Sequence, residues 1–207
     1  MDRRPLKTRS QAWVPKLARV LVRAGFSPNQ VSVLSLGAAA LAGAILAAAQ
    51  RRPSLLLLAA AGIQLRLLCN LLDGVMAVEA GLKTKTGDLF NDIPDRVADA
   101  LILVGAGYGT GCPWLGWLAA LLAVMTAYLR LLGGALQLPQ DFSGPMAKQQ
   151  RMFWMTVGAL GGWFEALLIH HHRSPLFLKA TLAWVTLGTA FTIGRRIRRL
   201  ARALEAR

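Results

Sequence analysis

The chain has 207 residues, of which 55% are hydrophobic, and its mean hydropathy is positive at +0.44. A soluble domain of this length does not need apolar runs as long as these, which are typical of transmembrane helices. The formal charge of +14 comes without a nucleic-acid-binding motif or a base-stacking aromatic pattern, so no nucleic acid is predicted as a partner. The two cysteines do not form a CxxC pair and do not support a disulfide framework.

The first predicted element is a short amphipathic helix over residues 10–24, lying in the membrane interface. Trp13, Leu17, Val20 and Leu21 fall on one side of it. We expect residues 1–26 to form a cytoplasmic or interfacial segment.

A chain break follows at GFSPNQVS, after which the first membrane helix begins. Ser27 is a suitable N-cap and Pro28 suits the first helical turn. The free N–H groups of a helix start attract anions, so Asn29 becomes a candidate substrate contact.

Six apolar runs are predicted to cross the membrane, which gives an all-α, polytopic membrane protein with a single domain over residues 1–207. The runs cover residues 31–49, 54–78, 95–111, 113–137, 152–171 and 175–194. The second and fourth contain polar residues, which need partners inside a helix bundle. Residues 195–207 are predicted to form a basic helix on the cytoplasmic surface.

The distribution of basic residues predicts the topology. With an even number of spans, both basic termini share one side with the loops at 79–90 and 138–151. The positive-inside rule places that side in the cytoplasm of the cell (inner) membrane, with anionic lipids as the counterparts of the charge.

Polar side chains interrupt the apolar pattern near the cytoplasmic end of the second span. Arg66, Asn70, Asp73 and Ala77 are spaced i, i+4, i+7 and i+11, which places them on one helix face. Gly74 leaves room beside Asp73 for a close approach.

A second polar stripe opens the third span. Asp88, Asp92, Asp95 and Asp99 share the same spacing, and Pro94 predicts a late helix start or a kink. The short polar loop between the stripes predicts that the two helices are antiparallel neighbours. Facing carboxylates repel unless a cation is bound, and hard oxygen ligands suit Mg²⁺, Mn²⁺ or Ca²⁺. The alternative is a set of solvated loop acids plus one buried Arg66–Asp73 ion pair.

The two stripes together resemble the signature of the CDP-alcohol phosphatidyltransferases, D-x-x-D-G-x-x-A-R, about eight residues, then G-x-x-x-D-x-x-x-D. The chain reads Asn70-x-x-Asp73-Gly74-x-x-Ala77-Val78, eight residues, then Gly87-x-x-x-Asn91-x-x-x-Asp95. Five of the eight signature positions match, and SPNQVS is similar to the T-P-N-x-x-T element before the family's first span. Asn70, Asn91 and Val78 depart from the pattern. A register with Asp95 and Asp99 as the final pair restores two acids but lacks the preceding glycine.

The resemblance implies a transferase that moves a phosphatidyl or other phospho-alcohol group from a CDP-alcohol, CDP-diacylglycerol above all, to an acceptor alcohol and releases CMP. It implies two divalent ions, Mg²⁺ or Mn²⁺, and Asp95 as general base. The implied metal ligands are Asp73, Asn70, Asn91, Asp92 and Asp95, with Asp88 as another compensating acid. The candidate substrate contacts are Gly74, Ala77, Gly87, Arg66, Asn29, Arg130, Lys148 and Arg151. Lys148 and Arg151, spaced i, i+3, could bind a phosphate, and the alternative is that they are loop charges that fix the topology. A homodimer is also expected by resemblance.

Two other interpretations remain open at the level of sequence. Two Asp-to-Asn changes favour a non-catalytic member of the same fold that binds a metal or a nucleotide lipid. A transporter is a third interpretation, although its pathway would need polar groups at several depths. The sequence does not identify the acceptor alcohol. Glycerol phosphate, inositol phosphate, serine and a second lipid all remain candidate acceptors.

Overall fold

The structure is a computed structural model that describes residues 11–79, 86–168 and 175–206, apart from the side chains of residues 79 and 88. These residues form seven α-helices and no strand, which confirms the all-α fold class. The helices are α1 (Trp13–Arg23), α2 (Pro28–Ala47), α3 (Leu56–Glu79), α4 (Gly87–Gly109), α5 (Pro113–Ala135), α6 (Lys148–Leu168) and α7 (Leu176–Glu205). Two short 3₁₀ turns, Ala48–Gln50 and Pro53–Leu55, join α2 to α3.

The start of α2 has the predicted capping chemistry. Ser27 is the N-cap, and its hydroxyl accepts a hydrogen bond from the backbone N–H of Gln30. The Gln30 side chain accepts one in return from the Ser27 N–H, completing a capping box. Pro28 is the first helical residue, as predicted.

Four helical segments in the described part of the chain are long and apolar enough to cross a membrane. They are Pro28–Gln50, Pro53–Val78, Pro113–Ala135 and Leu176–Glu205. Large apolar side chains on their outer faces are exposed, which is typical of lipid-facing surfaces. The helices α4 and α6 carry more charge and fall outside this group, so six spans remain a prediction.

The helix α2 packs along both α3 and α4, whereas α3 and α4 approach each other at few positions. The two helices therefore pack along α2 more than along each other, whereas their polar ends meet as predicted, through the contacts of Arg66 and Asn70 with Asp95. Small residues allow this arrangement, since a Cβ atom on Gly105 would overlap the backbone of Gly43.

The amphipathic helix α1 packs on the end of α3 that carries the polar stripe. Val14 and Ala18 are buried against Leu72, Val75 and Met76. Trp13 and Val20, on the side predicted to lie in the membrane interface, are exposed from the bundle. This contact places the N-terminal segment at the same end of the bundle as the polar residues.

The basic tail continues α7 rather than forming a separate helix. The helix has 30 residues and is about 45 Å long at about 1.5 Å per residue. Its Arg196 donates hydrogen bonds to the carbonyl oxygens of Thr126 and Ser143, which ties the loop after α5 to the bundle. At the other end, Glu165 accepts from the N–H groups of Leu176 and Phe177 and so caps α7.

The helix α4 begins at Gly87 and continues through Pro94 as one helix. Of the late start or kink predicted from Pro94, the late start is therefore wrong, and the kink stays a prediction. The predicted loop over 80–85 and the three histidines at 170–172 lie outside the described residues.

Candidate active site

The innermost layer of the site is a carboxylate between two guanidinium groups. Arg66 on α3 donates to Asp99 Oδ1 at 2.8 Å, and Arg151 on α6 donates to Asp99 Oδ2 at 3.1 Å. All three residues are buried, with Arg66 fully so. Arg151 also donates to the Thr126 hydroxyl and the Met146 carbonyl oxygen. Such a closed group of charges holds α3, α4 and α6 together.

One helical turn outward on α4, Asp95 receives three donors. Arg66 lies 3.1 Å from its Oδ1, the Asn70 amide donates to the same oxygen, and the Lys148 ammonium donates to Oδ2. The same ammonium lies 3.2 Å from the side-chain oxygen of Asn70. A side-chain cation therefore bridges two of the motif positions to which the resemblance assigns a metal ion.

Asp73 lies beside this layer and is only half satisfied. The Ser32 hydroxyl of α2 donates to its Oδ2 at 2.6 Å. Its Oδ1 is buried and has no hydrogen-bond partner in the described part of the chain. A buried carboxylate oxygen without a donor is costly, and it is a ready ligand for a cation.

Asp92 faces a different set of cations. Arg130 of α5 holds both of its oxygens, at 2.9 and 2.8 Å, and Arg96 approaches Oδ1 at 3.3 Å. The Arg130 guanidinium also lies over the Phe142 ring, 5.5 Å from its centre. Asp92 is thus engaged as a structural ion pair, apart from the contacts of Asp73 and Asp95.

The remaining predicted residues lie around this core. Gly74 is buried and Ala77 half-buried one turn beyond Asp73 on α3, while Gly87 is the first residue of α4. Asn29 is the second residue of α2, and Asn91 is partly exposed on α4. Arg66 and Arg151, predicted as substrate contacts, are buried and occupied by Asp95 and Asp99.

The charges of the inner part of the site balance. Three carboxylates, Asp73, Asp95 and Asp99, face three cations, Arg66, Lys148 and Arg151. The Arg66–Asp73 ion pair considered from sequence does not form, because Arg66 turns to α4 instead. Within residues 11–79, 86–168 and 175–206, no group of three or more His, Cys, Asp or Glu side chains could hold a metal ion.

The sequence pattern missed one contributor, Ser32, and the pairing of another, Asp99. Ser32 lies four residues after Pro28, and nothing in the spacing of the aspartates points to it. Asp99 is the last member of the predicted acidic stripe, but its pairing with two arginines depends on how α6 packs, which the stripe does not specify.

Comparisons with known proteins agree with this architecture. No protein-family model matches the chain. The chain is 34% identical over 145 residues to a bifunctional IPC transferase and DIPP synthase of Rubrobacter xylanophilus, a match that covers 68% of this chain. The chain spans about a third of that relative's length, 32%.

Solved structures share the fold over most of the chain. The phosphatidylinositol phosphate synthase of Mycobacterium tuberculosis with CDP-DAG bound superposes with a TM-score of 0.75 at 20% identity, covering 90% of this chain and 92% of that one. The same synthase in complex with manganese and citrate gives a TM-score of 0.75 at 20% identity, covering 90% and 88%. The chain therefore has the fold of the CDP-alcohol phosphatidyltransferases, and the resemblance carried by the two-part motif is confirmed at that level.

Proposed function

We propose that this chain is a membrane phosphotransferase that moves a phosphatidyl or other phospho-alcohol group from a CDP-alcohol, with CDP-diacylglycerol the preferred donor, to the hydroxyl of an acceptor alcohol. The observation that carries this proposal is the juxtaposition of Asn70, Asp73 and Asp95 at the polar ends of α3 and α4. These residues sit at the signature positions, in a fold shared with a synthase whose structure has CDP-DAG bound.

In the proposed reaction the acceptor oxygen attacks the donor phosphorus that carries the alcohol. A new P–O bond forms, the bond to the bridging diphosphate oxygen breaks, and CMP leaves with that oxygen. The acceptor's hydroxyl proton passes to Asp95, since a positioned carboxylate can act as general base.

Two carboxylates and one amide oxygen, from Asp73, Asp95 and Asn70, are proposed to hold a divalent ion such as Mg²⁺ or Mn²⁺. Two observations support this: the orphaned Oδ1 of Asp73, and the ammonium of Lys148, which stands in for a cation between Asn70 and Asp95. The donors are hard oxygens, which such ions prefer. A bound ion would supply neutralisation of the diphosphate charge and stabilisation of the leaving CMP oxygen.

We propose one ion here instead of the two that the resemblance implies. Asn70 and Asn91 bring no negative charge, and Asp92 is held by Arg130. Asp73, Asn70 and Asp95 are then the proposed ligands in the described part of the site.

Arg66 is proposed as a positioning residue. It contacts Asp95 and Asp99 together, which fixes the Asp95 carboxylate and directs Oδ2 toward Lys148. When Lys148 moves away, the Asp95 carboxylate is open to the ion and to the acceptor's hydroxyl group. Gly74 and Ala77 are proposed to leave room for the cytidine, and Gly87 for the diphosphate.

The acceptor proposed for the first test is a phosphorylated polyol. Lys148 contacts the site directly, and 22% of its side chain is accessible. Inositol phosphate leads the candidates, because the structural relative is named a phosphatidylinositol phosphate synthase. Glycerol phosphate, serine and a second lipid complete the set.

The site, both termini and the loop after α5 are proposed to lie on the cytoplasmic side of the cell membrane. The contacts of α1 with α3 and of Arg196 with Ser143 support one common end for these segments. A homodimer remains part of the proposal on resemblance alone.

A non-catalytic member of the fold is the second candidate. The observation in its favour is that Arg66, Asn70 and Lys148 all donate to Asp95, so the proposed base is occupied. A protein of this kind would bind the donor without turnover.

The test is CMP release by the purified protein in detergent, from CDP-diacylglycerol with each acceptor separately, in Mg²⁺, Mn²⁺ or EDTA. We expect metal- and acceptor-dependent release that falls about 10²–10⁴-fold in Asp95→Asn. Asp141→Asn is the matched control, since it makes the same change in the loop after α5 and should keep wild-type release. If folded wild-type protein releases no CMP with any acceptor, the transferase proposal fails and the non-catalytic candidate takes its place.

A further inference from the structure

Lys148 has an unusual position for a residue at the start of a membrane helix. It is the first residue of α6, yet its ammonium reaches the Asp95 carboxylate and the Asn70 side-chain oxygen. Both acceptors belong to the two-part motif on α3 and α4. The lysine therefore fills the place between two oxygens that the proposed function assigns to a divalent ion.

Charge balance makes this lysine and a metal ion mutually exclusive. The inner site has three carboxylates and three side-chain cations, Arg66, Lys148 and Arg151, so it is neutral with Lys148 in place. A divalent ion added beside the ammonium would leave an excess of two positive charges in a poorly solvated site. If the ammonium withdraws, the excess falls to one.

Of the three cations, Lys148 is the one whose side chain is partly exposed. Arg66 and Arg151 are buried, at 0% and 1% exposed, and each has a carboxylate and further acceptors to hold it. The Lys148 side chain is 22% exposed, and a lysine is a point charge on a flexible four-carbon stem.

Asp73 supplies the second observation that points to a ligand. It is 4% exposed, and its Oδ1 has no partner within the described residues. It lies on the same face of α3 as Asn70, one turn away. Of the three carboxylates of the inner site, Asp73 is the one that no side-chain cation of the described residues contacts. Lys148 therefore does not satisfy the whole site, and a further cation can bind beside Asp73.

We infer that Lys148 is an exchangeable counter-cation that competes with a divalent ion for the position between Asn70 and Asp95. The inference rests on the proposed function, which supplies the reason for a divalent ion at this position. Metal affinity is thereby set by a residue that is not a metal ligand. The displaced ammonium then faces the exposed side of the site, where a substrate phosphate would arrive.

The experiment is a Mn²⁺ titration of the purified full-length protein in detergent, with free Mn²⁺ followed by electron paramagnetic resonance and no nucleotide present. Removing one competing charge from this site, in Lys148→Gln and Lys148→Ala, is expected to tighten Mn²⁺ binding about ten-fold or more. Lys148→Arg, which keeps the charge, should retain weak binding. Lys179→Gln near the start of α7 is the matched control and should equal wild type.

Unchanged or weaker Mn²⁺ affinity in both neutral variants, with thermal unfolding close to wild type, overturns the inference. The same holds if Lys148→Arg tightens binding as much as Lys148→Gln. The two proposals fail separately. Tighter Mn²⁺ binding without CMP release would retain the competition and reject the transferase, whereas CMP release with unchanged Mn²⁺ affinity would do the reverse.

Discussion

Asp99 and Asp95 lie one turn apart on α4, and the protein uses them in different ways. Asp99 is held by Arg66 and Arg151, two rigid planar groups that are themselves buried. Asp95 shares Arg66, but its other oxygen is held by Lys148, whose side chain is partly exposed. Both partners of Asp99 are buried arginines that stay in place, whereas Asp95 can exchange its lysine partner.

The difference teaches how a membrane helix can carry acids for two purposes. A carboxylate deep in the bundle must be fully paired, because an isolated buried charge is too costly. One turn away, Asp95 is also buried, but one of its partners is a flexible and partly exposed lysine. Arg66 connects the two layers, so the inner ion pairs also position the outer carboxylate.

The largest expected effect is the loss of stability when the inner carboxylate, Asp99, is neutralised. Asp99→Asn leaves Arg151 and part of Arg66 without a carboxylate, and removing one partner of a buried pair costs about 3–5 kcal/mol. We expect a large fall in the free energy of unfolding, measured by denaturant titration in mixed micelles. Asp95→Asn should cost less, because Lys148 can turn to solvent and Arg66 keeps Asp99.

A double variant makes this test sharper. Asp99→Asn combined with Arg151→Met removes both charges of one pair and should recover part of the lost stability, since the stranded cation is gone. Equal stabilities for Asp99→Asn and Asp95→Asn would contradict the two-layer description.

A smaller effect concerns the ion pair beside the two layers. Asp92 is a metal ligand by resemblance, but in the structure Arg130 and Arg96 hold it. Because its side chain is 32% exposed, we expect Asp92→Asn to cost about 1 kcal/mol or less. Mn²⁺ affinity should stay at the wild-type value, whereas Asp73→Asn should weaken it. A matching loss in Asp92→Asn would make Asp92 a ligand and the Arg130 contact exchangeable.

Much of the fold could be predicted because membrane helices are encoded locally. The Ser27–Pro28 start of α2 and the length of its apolar run follow from capping chemistry and hydropathy. The placement of α2 between α3 and α4 could not be predicted in this way. It depends on Gly43 meeting Gly105, and a contact between two distant glycines leaves no periodic signal in either helix.

The residues of the site could be predicted from the sequence, but their hydrogen-bond and ion-pair partners could be predicted less well. The spacing on α3 and α4 brought Asn70 and Asp95 to one place, and the structure joins them. Spacing within a helix does not specify which cation comes from another helix. The partners Lys148, Arg151 and Ser32 depend on how α6 and α2 pack, so the charge balance between the carboxylates and the side-chain cations could not be predicted from spacing.

The smallest effect tests the contrast between buried and surface pairs. Asp141, in the loop after α5, accepts from the Ser143 N–H at 2.8 Å and from Arg199 at 3.3 Å. Partial burial raises the pKa of Asp141, but the hydrogen bonds from Ser143 and Arg199 and the Arg199 charge outweigh it, so the pKa is lowered overall. A carboxyl with a lower pKa in the folded state stabilises the fold above its unfolded pKa, and that contribution is lost as the pH falls through the folded value. Asp141→Asn should therefore cost about 0.2–1 kcal/mol at neutral pH, as for exposed pairs, and the difference from wild type should shrink below pH of about 4. Unfolding titrations at several pH values measure this, and a difference that grows on acidification would contradict the role given to the Arg199 pair.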